Sequence, residues 1–411
     1  MDAEIIAVGS ELLTPQHIDT NSLYLTEKLN NLGILVRFKT IVGDSKEDLA
    51  AVFRGALERS PLIVLTGGLG PTDDDLTRDV VAKVLERPLN EVEELRQRIQ
   101  ARYARLGRPM PENNLRQALV PEGAEWLQNN NGTAPGIWIE YKDNVVILLP
   151  GPPRELEPLF DTACVPRLER VAPGGRIKTR VYKVVGLPES EVDQLIAPLY
   201  RPYANPTTTI LASLGSIEIH LRARAATDKE VETRLAELGD KIELALGDHV
   251  YSTKGESLEE VVGMYLVMRQ KTLAVAESCT GGLLAERLTR IGGSSAYFLG
   301  GAVCYTNEMK TRWAGVPADL IQEHGAVSQP VAQALAQGVR ARTGSSIGIG
   351  ITGIAGPTGG TPEKPVGLVF IGLADERGVQ VREFHFPGDR DRVRHWATQM
   401  ALEMIRRRIR D

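Results

Sequence analysis

The stretch TLAVAESCTGGLLAERLTRI, Thr272–Ile291, contains a strand pattern, a turn and a helix pattern in that order. The apolar run TLAV is followed by Ser278, Cys279 and Thr280 and then by two glycines, before a helical periodicity begins. A strand that ends in a glycine-containing turn and continues into a helix is the repeating unit of an α/β layer. Open α/β sheets bind ligands at the carboxyl ends of their strands, so this turn is a predicted ligand site.

The same alternation of strand and helix patterns fills the first block of the chain, to about residue 165. The strand patterns EIIAVG, ILVRFKTIV, PLIVLTGG and VVILLPG are separated by amphipathic helix patterns such as NSLYLTEKLNNLG. This arrangement predicts a three-layer α/β domain with a largely parallel sheet, which we place at residues 1–170.

From about residue 175 the order of elements becomes strand, helix, strand, strand, helix, strand. That order predicts a small α+β domain of the split ferredoxin-like type at residues 171–251, with its first boundary near the segment APGGR. A linker, STKGES, leads to a third block at residues 257–411, where helix and strand patterns alternate again. The predicted fold class is therefore α/β, with two three-layer α/β domains joined by a small α+β domain.

The composition excludes several classes of protein. The 411 residues are 42% apolar and 25% charged, as in a globular protein, and the net charge of −5 argues against non-specific nucleic-acid binding. No apolar run approaches the roughly 18 residues that a membrane span needs. The three cysteines and six histidines form neither a disulfide framework nor a zinc pattern. The acidic start, MDAEIIAVGS, is unlike a signal peptide, so we expect a cytoplasmic protein.

Two loops of the first block predict a site for a phosphate ligand. TGGLGPTDDDLTRD, Thr66–Asp79, follows a strand and opens a helix, and LLPGPPRELE, Leu148–Glu157, does the same. The three consecutive aspartates would repel phosphate unless a hard divalent cation lay between them, although aspartates at a helix start are also ordinary caps. The predicted metal ligands are Asp73, Asp74, Asp75 and Glu155, and the predicted substrate contacts are Ser10, Asn21, Gly67, Gly68, Gly70, Thr72, Gly132 and Gly151.

Three loops of the third block contain candidate catalytic groups. They are AESCTGG, GGSSAYFLGGAVCYTNEMK (residues 292–310) and the glycine-rich turn GITGIAGPTGG (residues 350–360), whose N–H groups suit an oxyanion or a phosphate. A desolvated lysine can lose its proton, so Lys310 is a candidate base for a serine, the alternative being an ordinary surface lysine. Cys279 is a second candidate nucleophile, but these loops contain no histidine partner and we favour a buried structural thiol.

Taken together, these motifs resemble the CinA family. The three loops of the third block are similar to motifs of its C-terminal domain, the nicotinamide mononucleotide deamidase. The two loops of the first block are similar to its N-terminal domain, which shares the molybdopterin-binding fold, and the middle domain of the family is KH-like. The middle block here lacks a clear basic G-x-x-G loop, so a nucleic-acid partner is not expected.

The resemblance implies two hydrolytic activities and a homodimer. The C-terminal domain would convert nicotinamide mononucleotide to nicotinate mononucleotide and ammonia without a cofactor. The N-terminal domain would cleave ADP-ribose to AMP and ribose 5-phosphate with a divalent metal ion, Mg, Mn or Co. The implied catalytic residues are the pair Ser295 and Lys310, supported by Ser278 and Tyr305, and the implied substrate contacts are Thr280, Gly281, Thr352, Gly353 and Arg392.

Two other functions fit the same sequence. The first block could be a nucleotide-binding or molybdopterin-binding module without chemistry, since a fold does not by itself determine a function. The chain could also be an interaction protein of DNA uptake or repair, as the family's description, competence/damage-inducible, suggests. The sequence leaves open whether Ser278 or Ser295 is the nucleophile.

Overall fold

A computed structural model of the protein describes residues 1–105, 107–172, 174–213 and 215–410. The chain divides into two compact units, one of Met1–Lys178 with Ala223–Arg234 and one of Thr179–Arg222 with Leu235–Asp411. Pro173, in the predicted boundary segment APGGR, and Asp411, the last residue of the predicted third domain, lie outside the described residues.

The first unit contains a six-stranded sheet and a separate two-stranded ladder. The strands of this part of the chain are β1 (Asp2–Val8), β2 (Leu35–Val42), β3 (Leu62–Thr66), β4 (Leu89–Glu91), β5 (Leu119–Pro121), β6 (Glu125–Leu127), β7 (Gly136–Tyr141) and β8 (Asn144–Leu149). The large sheet has the order β2-β1-β3-β8-β7-β6, and β4 pairs with β5. The first four strands of the large sheet are parallel, as predicted, whereas β7 and β6 form an antiparallel edge that the sequence patterns did not predict.

Helices cover both faces of this sheet, so the domain has the predicted three layers. Ile5 and Ile6 are neighbours in β1 and point to opposite faces, as successive strand residues must. Ile5 packs in a cluster with Leu25, and Ile6 packs in a different cluster with Phe53. The helices are α1 (Asn21–Asn31), α2 (Lys46–Arg59), α3 (Thr77–Val84), α4 (Glu93–Arg105), α5 (Pro153–Leu159) and α6 (Val165–Val171).

The middle part of the chain has the predicted order strand, helix, strand, strand, helix, strand. Its elements are β9 (Arg176–Val184), α7 (Glu189–Tyr200), β10 (Thr207–Ser213), β11 (Ser216–Ala225), α8 (Asp228–Leu246) and β12 (Val250–Ser252). The sheet order is β10-β11-β9-β12, and alternate residues of β11 are buried. The first strand therefore lies between the third and the fourth, as in ferredoxin-like domains.

The C-terminal part is again a sheet with helices on two faces. Its strands are β13 (Leu273–Glu277), β14 (Phe298–Val303), β15 (Ile347–Gly353), β16 (Leu368–Asp375) and β17 (Gly378–His385), in the order β14-β13-β15-β16-β17. Val275 packs with Leu266 and Leu402 on one face, and Ala274 packs with Leu335 on the other. The helices are α9 (Leu258–Met268), α10 (Leu283–Thr289), α11 (Asn307–Ala314), α12 (Ala318–His324), α13 (Gln329–Thr343) and α14 (Arg390–Arg410).

Lys310 lies in a short helix that follows β14. The segment GAVCYT, residues 301–306, has a pattern typical of a strand, but β14 ends at Val303. The hydroxyl of Thr306 then accepts a hydrogen bond from the Met309 amide and caps α11. Lys310 therefore lies in a helix that begins beyond the carboxyl end of β14, and not at the end of a strand.

Candidate functional site

A cavity of about 610 Å³ lies at the carboxyl ends of β1, β3 and β8. Its wall includes the segments that follow these three strands, which is where an open parallel sheet binds ligands. The predicted site residues that line it are Asn21, Gly67, Gly68, Gly70, Asp74, Asp75, Gly151 and Glu155. Four other predicted residues, Ser10, Thr72, Asp73 and Gly132, are outside its lining.

The loop after β3 requires glycine for a steric reason. Gly67 has φ +93°, and a Cβ atom there would lie 2.2 Å from the carbonyl oxygen of Val8. Gly68 has φ +65° and would place a Cβ atom 2.3 Å from the hydroxyl of Thr77. That hydroxyl donates to the carbonyl of Gly67 at 2.8 Å and ties the loop to the start of α3. The backbone is thereby held close to the cavity, where a ligand could approach it.

The three consecutive aspartates have three different environments. Asp75 accepts hydrogen bonds from the backbone N–H groups of Gly70 and Thr72, both at 2.8 Å, and so closes the loop on itself. Asp74 accepts a hydrogen bond from the Thr72 hydroxyl, which lowers the pKa of Asp74. Asp73 points away from the cavity and pairs with Arg116 at 3.3 Å. None of them caps α3, whose N-cap residue is Leu76.

The ionisable groups of the cavity are acidic. Six carboxylates line it, and among the described residues no lysine, arginine or histidine does so. In the described part of the chain, none of these six carboxylates forms an ion pair, and no group of three His, Cys, Asp or Glu side chains is close enough to share a metal ion. The donor chemistry fits a hard divalent cation, because oxygen ligands are what such ions prefer. The six carboxylates are Glu11, Asp19, Asp44, Asp74, Asp75 and Glu155.

Glu155 and Gly132 meet at one side of this cavity. The Asn129 amide donates to Glu155 Oε2 at 2.8 Å, and a Cβ atom on Gly132 would overlap Glu155. Asp44, which also lines the cavity, exchanges two hydrogen bonds with Ser10, from the Ser10 amide to the carboxylate and from the Asp44 amide to the hydroxyl. Gly132 and Ser10 therefore shape the walls although neither faces the cavity.

The turn after β13 forms the second candidate site. Ser278 and Thr280 are buried, and Thr280 Oγ1 has no hydrogen-bond partner in the described residues. The carboxylate of Glu277 accepts from the amides of Gly282, Leu284 and Ala285 at 2.8–3.1 Å, so it caps α10. Because Glu277 supplies this cap, the hydroxyls of the turn are not needed for it.

Lys310 lies at the same edge of the sheet and is almost completely buried, with 2% of its surface exposed. Its Nζ donates a hydrogen bond to the carbonyl of Tyr305 at 3.2 Å, and it makes no ion pair within the described residues. Burial lowers the pKa of Lys310, and the nearby thiols of Cys304 and Cys279 oppose this shift. An ammonium ion buried without a carboxylate is costly, so the surroundings favour the neutral amine.

Cys279 is a structural thiol, as the sequence suggested. It belongs to the apolar cluster that includes Leu284, and burial raises its pKa to about 12. A thiol with so high a pKa is almost entirely protonated at neutral pH, and the thiolate is the reactive form.

The structure does not bring Ser295 and Lys310 together within one chain. Ser295 precedes Tyr297, whose carbonyl accepts a hydrogen bond from the amide of Leu273, the first residue of β13. Ser295 is therefore at the amino-terminal edge of the sheet, whereas Lys310 and Ser278 follow the carboxyl ends of the strands. The five-residue strand β13 spans about 16 Å at about 3.3 Å per residue, so a direct contact within the chain is excluded. The sequence could not indicate this, because the direction of β14 decides it.

The structure places Arg390, and not Arg392, beside Tyr305. Arg390 donates to the Tyr305 hydroxyl at 2.7 Å and to the carbonyl of Gly356 at 2.9 Å, in the glycine-rich turn. Arg392 is exposed and lies against Gly388. Arg394 donates to the carbonyl of Thr280 at 2.9 Å. The sequence does not indicate Arg390 and Arg394, because the rotation of α14 decides which of its arginines face the strand ends.

The remaining predicted residues of this domain follow β13 or lie in β15. Thr352 is buried, and its hydroxyl donates to the carbonyl of Ala326 at 2.7 Å. Gly353 ends β15. Gly281, with φ +60°, belongs to the turn after β13, where a Cβ atom would lie 3.7 Å from Arg394. All three are at the edge of the sheet that holds Lys310.

The fold defines a multidomain α/β protein with two candidate sites at the ends of its strands. Three family descriptions match along the chain: Probable molybdopterin binding domain at residues 4–170, Damage-inducible protein CinA KH domain at residues 179–252, and CinA C-terminal domain at residues 255–409. The protein belongs to the CinA family, which confirms the resemblance and the fold class that the sequence predicted.

Two relatives of similar length support this assignment, and a solved structure is similar to part of the chain. The chain is 52% identical over 413 residues to a CinA-like protein of Koribacter versatilis, covering 100% of both chains. It is 44% identical to a putative competence-damage inducible protein of Caldanaerobacter subterraneus, covering 99% of this chain and 98% of that one. A crystal structure of the protein CinA with unknown function from Thermoplasma acidophilum is 34% identical, covers 41% of this chain and 97% of its own, and has a TM-score of 0.39.

No helix in the described part of the chain combines the length and the apolar character needed to cross a membrane.

Proposed function

We propose that this protein is a bifunctional hydrolase of pyridine nucleotide recycling. Its C-terminal domain removes the amide nitrogen of nicotinamide mononucleotide, giving nicotinate mononucleotide and ammonia. Its N-terminal domain cleaves the pyrophosphate of ADP-ribose with a divalent metal ion, giving AMP and ribose 5-phosphate. The observation that carries the first activity is the burial of Lys310 beside the turn of Ser278, without an ion pair in the part of the chain that the structure describes.

The amide hydrolysis needs a nucleophile, a base and an oxyanion site. Neutral Lys310 accepts the proton of a serine hydroxyl while the serine oxygen bonds to the amide carbon. The resulting oxyanion is stabilised by backbone N–H groups of a glycine-rich turn. The lysine then returns the proton to the nitrogen, which leaves as ammonia, and water releases the acid from the serine. No metal ion enters these steps.

Which serine can act as the nucleophile depends on whether the site is formed by one chain or by two. Within one chain, Ser278 is the candidate serine that lies at the same edge of the sheet as Lys310. Ser295 reaches Lys310 only from a second copy, and the edge strand β14, with exposed Leu299 and Val303, supports such a homodimer. Antiparallel pairing of two copies of β14 about a two-fold axis would place the amino end of each beside the carboxyl end of the other. We propose this arrangement, with Ser295 as nucleophile and Ser278 as a substrate contact.

Mixing of inactive variants tests the arrangement. Full-length Ser295→Ala and Lys310→Arg proteins, unfolded and refolded together, would form mixed dimers with one intact site each, so that about a quarter of wild-type deamidation returns. The matched control mixes Ser278→Ala with Lys310→Arg. Its deamidation activity should not recover, because Ser278 and Lys310 of the same chain contribute to the same site. If the first mixture stays inactive while Ser278→Ala alone abolishes turnover, Ser278 is the nucleophile and the Ser295 assignment is wrong.

In the N-terminal domain, Asp74, Asp75 and Glu155 are the predicted ligands that line the cavity, and we propose that one or two of them would hold the metal ion together with the phosphates of the substrate. The ion would neutralise the pyrophosphate and polarise its phosphorus–oxygen bonds. The amides of the loop with Gly67 and Gly68 would position the phosphates. Asp73 is withdrawn from the proposed ligands, because its carboxylate faces Arg116 outside the cavity.

A non-catalytic binding module is the second candidate for the N-terminal domain. The match to a probable molybdopterin binding domain favours it. Analysis of the products that the whole protein forms from nicotinamide mononucleotide or ADP-ribose, with and without a chelator, distinguishes the bifunctional hydrolase from the binding module. Deamidation that survives chelation, together with metal-dependent release of AMP, supports the bifunctional hydrolase. If ADP-ribose binds and is not cleaved with any divalent metal ion, the N-terminal domain is a non-catalytic binding module.

We propose that the protein is located in the cytoplasm.

A further inference from the structure

A second cavity of about 470 Å³ lies next to the acidic one and has the opposite charge. We call it the arginine cleft. One wall is the helix α4, from which Arg98, Arg102 and Arg105 point into it, and the facing wall contains Trp126. The three arginines are four and three residues apart, so they share one face of the helix. Among the residues that the structure describes, no carboxylate lines this cleft.

The charges of the cleft are only partly compensated. Arg98 lies 5.5 Å from the centre of the Trp126 ring and 3.6 Å from the carboxylate of Glu94, whose side chain is mostly exposed. Arg102 donates to the carbonyls of Asn130 and Asn131, at 3.4 and 2.9 Å. Arg105 donates to the carbonyl of its own helix at 3.4 Å, and neither Arg102 nor Arg105 has an ion pair within the described residues. A guanidinium group has five N–H donors, so most of theirs remain available.

One turn of chain separates the arginine cleft from the acidic cavity. Thr133 lines both. The side chain of Asn129 accepts from the amides of Asn131 and Gly132, both at 2.9 Å, and donates to Glu155 at 2.8 Å. The two cavities therefore adjoin at Thr133, and the hydrogen bonds of Asn129 hold the turn between them in place.

We propose that the arginine cleft binds a further phosphate, together with an aromatic base, on the same substrate whose pyrophosphate occupies the acidic cavity. Arginine forks bind phosphate through paired hydrogen bonds, and a flat ring stacks on Trp126 and the Arg98 guanidinium. The preferred substrate class is thus a pyrophosphate nucleotide with an additional phosphomonoester on its ribose. This inference rests on the proposed N-terminal activity and specifies its substrate.

Binding measurements test the cleft separately from catalysis. Calorimetric titration of the whole protein with Mg²⁺ present compares AMP with adenosine 2′,5′-bisphosphate, which differ by one phosphate. We expect the bisphosphate to bind about tenfold more tightly, as one charge-assisted contact to a solvent-accessible phosphate allows. Arg105→Gln should remove most of this ratio and leave AMP binding unchanged. The matched control is Arg54→Gln, an equal change of charge at an exposed position of α2, which should keep the ratio.

Each other outcome overturns the inference. Equal affinities for the two ligands in the wild type, no binding of either, or an unchanged ratio in Arg105→Gln would exclude a phosphate subsite in the cleft. Displacement of the bisphosphate by a single-stranded oligonucleotide that binds more tightly through Arg105 would assign the cleft to nucleic acid instead. Failure of the proposed activity is a separate result: ADP-ribose and its 2′-phosphate would both resist cleavage, while the Arg105-dependent binding ratio persisted.

Discussion

The acidic cavity of the N-terminal domain and the lysine site of the C-terminal domain occupy equivalent places in two different sheets. Each lies beyond the carboxyl ends of parallel strands, next to a turn that contains glycines with positive φ. The two sites contain different ionisable groups. In the described part of the chain, six carboxylates and no basic residue line the first, and the second buries Lys310 without an ion pair.

The comparison shows that the topology of the sheet determines where a site lies. The ionisable residues that line the site then determine which chemistry it can support. An uncompensated group of carboxylates attracts a cation, which can then bind pyrophosphate. Burial away from a carboxylate lowers the pKa of a lysine, and on this basis we propose that Lys310 acts as a base without a metal ion. The two domains should therefore respond differently to changes of charge, and the following predictions rank those responses by size.

The largest effect is expected from Lys310→Arg. Arginine keeps the positive charge but cannot act as a base, so deamidation should fall by about 10²–10⁴-fold, the usual contribution of general acid–base catalysis. Steady-state rates of ammonia release measure it. Lys271→Arg, at a lysine that pairs with Glu376 on the surface, is the matched control and should leave the rate unchanged. A deamidation rate of Lys310→Arg within a few-fold of the wild-type rate would show that Lys310 is not the base, and the proposed difference between the two sites would then be wrong.

The pH dependence of deamidation should be next in size. Burial lowers the pKa of Lys310, so the neutral amine should predominate at a lower pH than for an exposed lysine, whose pKa is about 10.4. The rate should rise with pH through the lowered pKa and level off before pH ~10.4. The free energy of unfolding should rise over the same interval, because the unfolded chain there binds a proton that the folded chain does not. Lys310→Met should abolish this rise in stability, and a rise that persists would assign it to another group.

A smaller effect is expected in the N-terminal domain from Asp74→Asn. Asp74 lines the acidic cavity and Asp73 does not, which makes these neighbours a matched pair. Asp74→Asn should raise the metal concentration for half-maximal ADP-ribose cleavage by about tenfold or more, whereas Asp73→Asn should leave it unchanged. Deamidation should be the same in both. Equal effects of the two substitutions would mean that the net charge of the loop, and not direct metal binding by Asp74, sets the metal dependence.

The smallest effect should distinguish the helices that support the two sites. Thr306 caps α11, the helix of Lys310, and Ser45 caps α2, which contributes no residue to either site. Replacing either by alanine should cost about 1 kcal/mol of unfolding free energy, the usual value of an N-cap. Only Thr306→Ala should also slow deamidation, by disturbing the position of Lys310. Chemical denaturation and ammonia release together measure this, and an equal loss of activity in Ser45→Ala would refute a specific role for α11.

Much of the fold could be predicted from the sequence because its signals are local. β-Branched runs marked the strands, and glycine-containing turns marked the strand ends, including Gly67 and Gly281, where φ is positive. The antiparallel edge of β6 and β7 was missed, since a strand of three residues, Glu125–Leu127, has too little periodicity to recognise. The helix α11 was missed because its residues continue a strand-like pattern.

The sequence by itself determined the order of the elements, the loops that form the sites and the residue types available there. Only the tertiary structure decided which of those residues meet. It placed Ser295 at the amino edge and Lys310 at the carboxyl edge of one sheet, and it turned Arg390 rather than Arg392 toward Tyr305. It also gathered carboxylates from separate segments, among them Glu11 and Asp44, into one cavity. The physical reason is that strand direction, helix rotation and burial depend on contacts between segments far apart in the chain, and local sequence patterns do not contain these contacts.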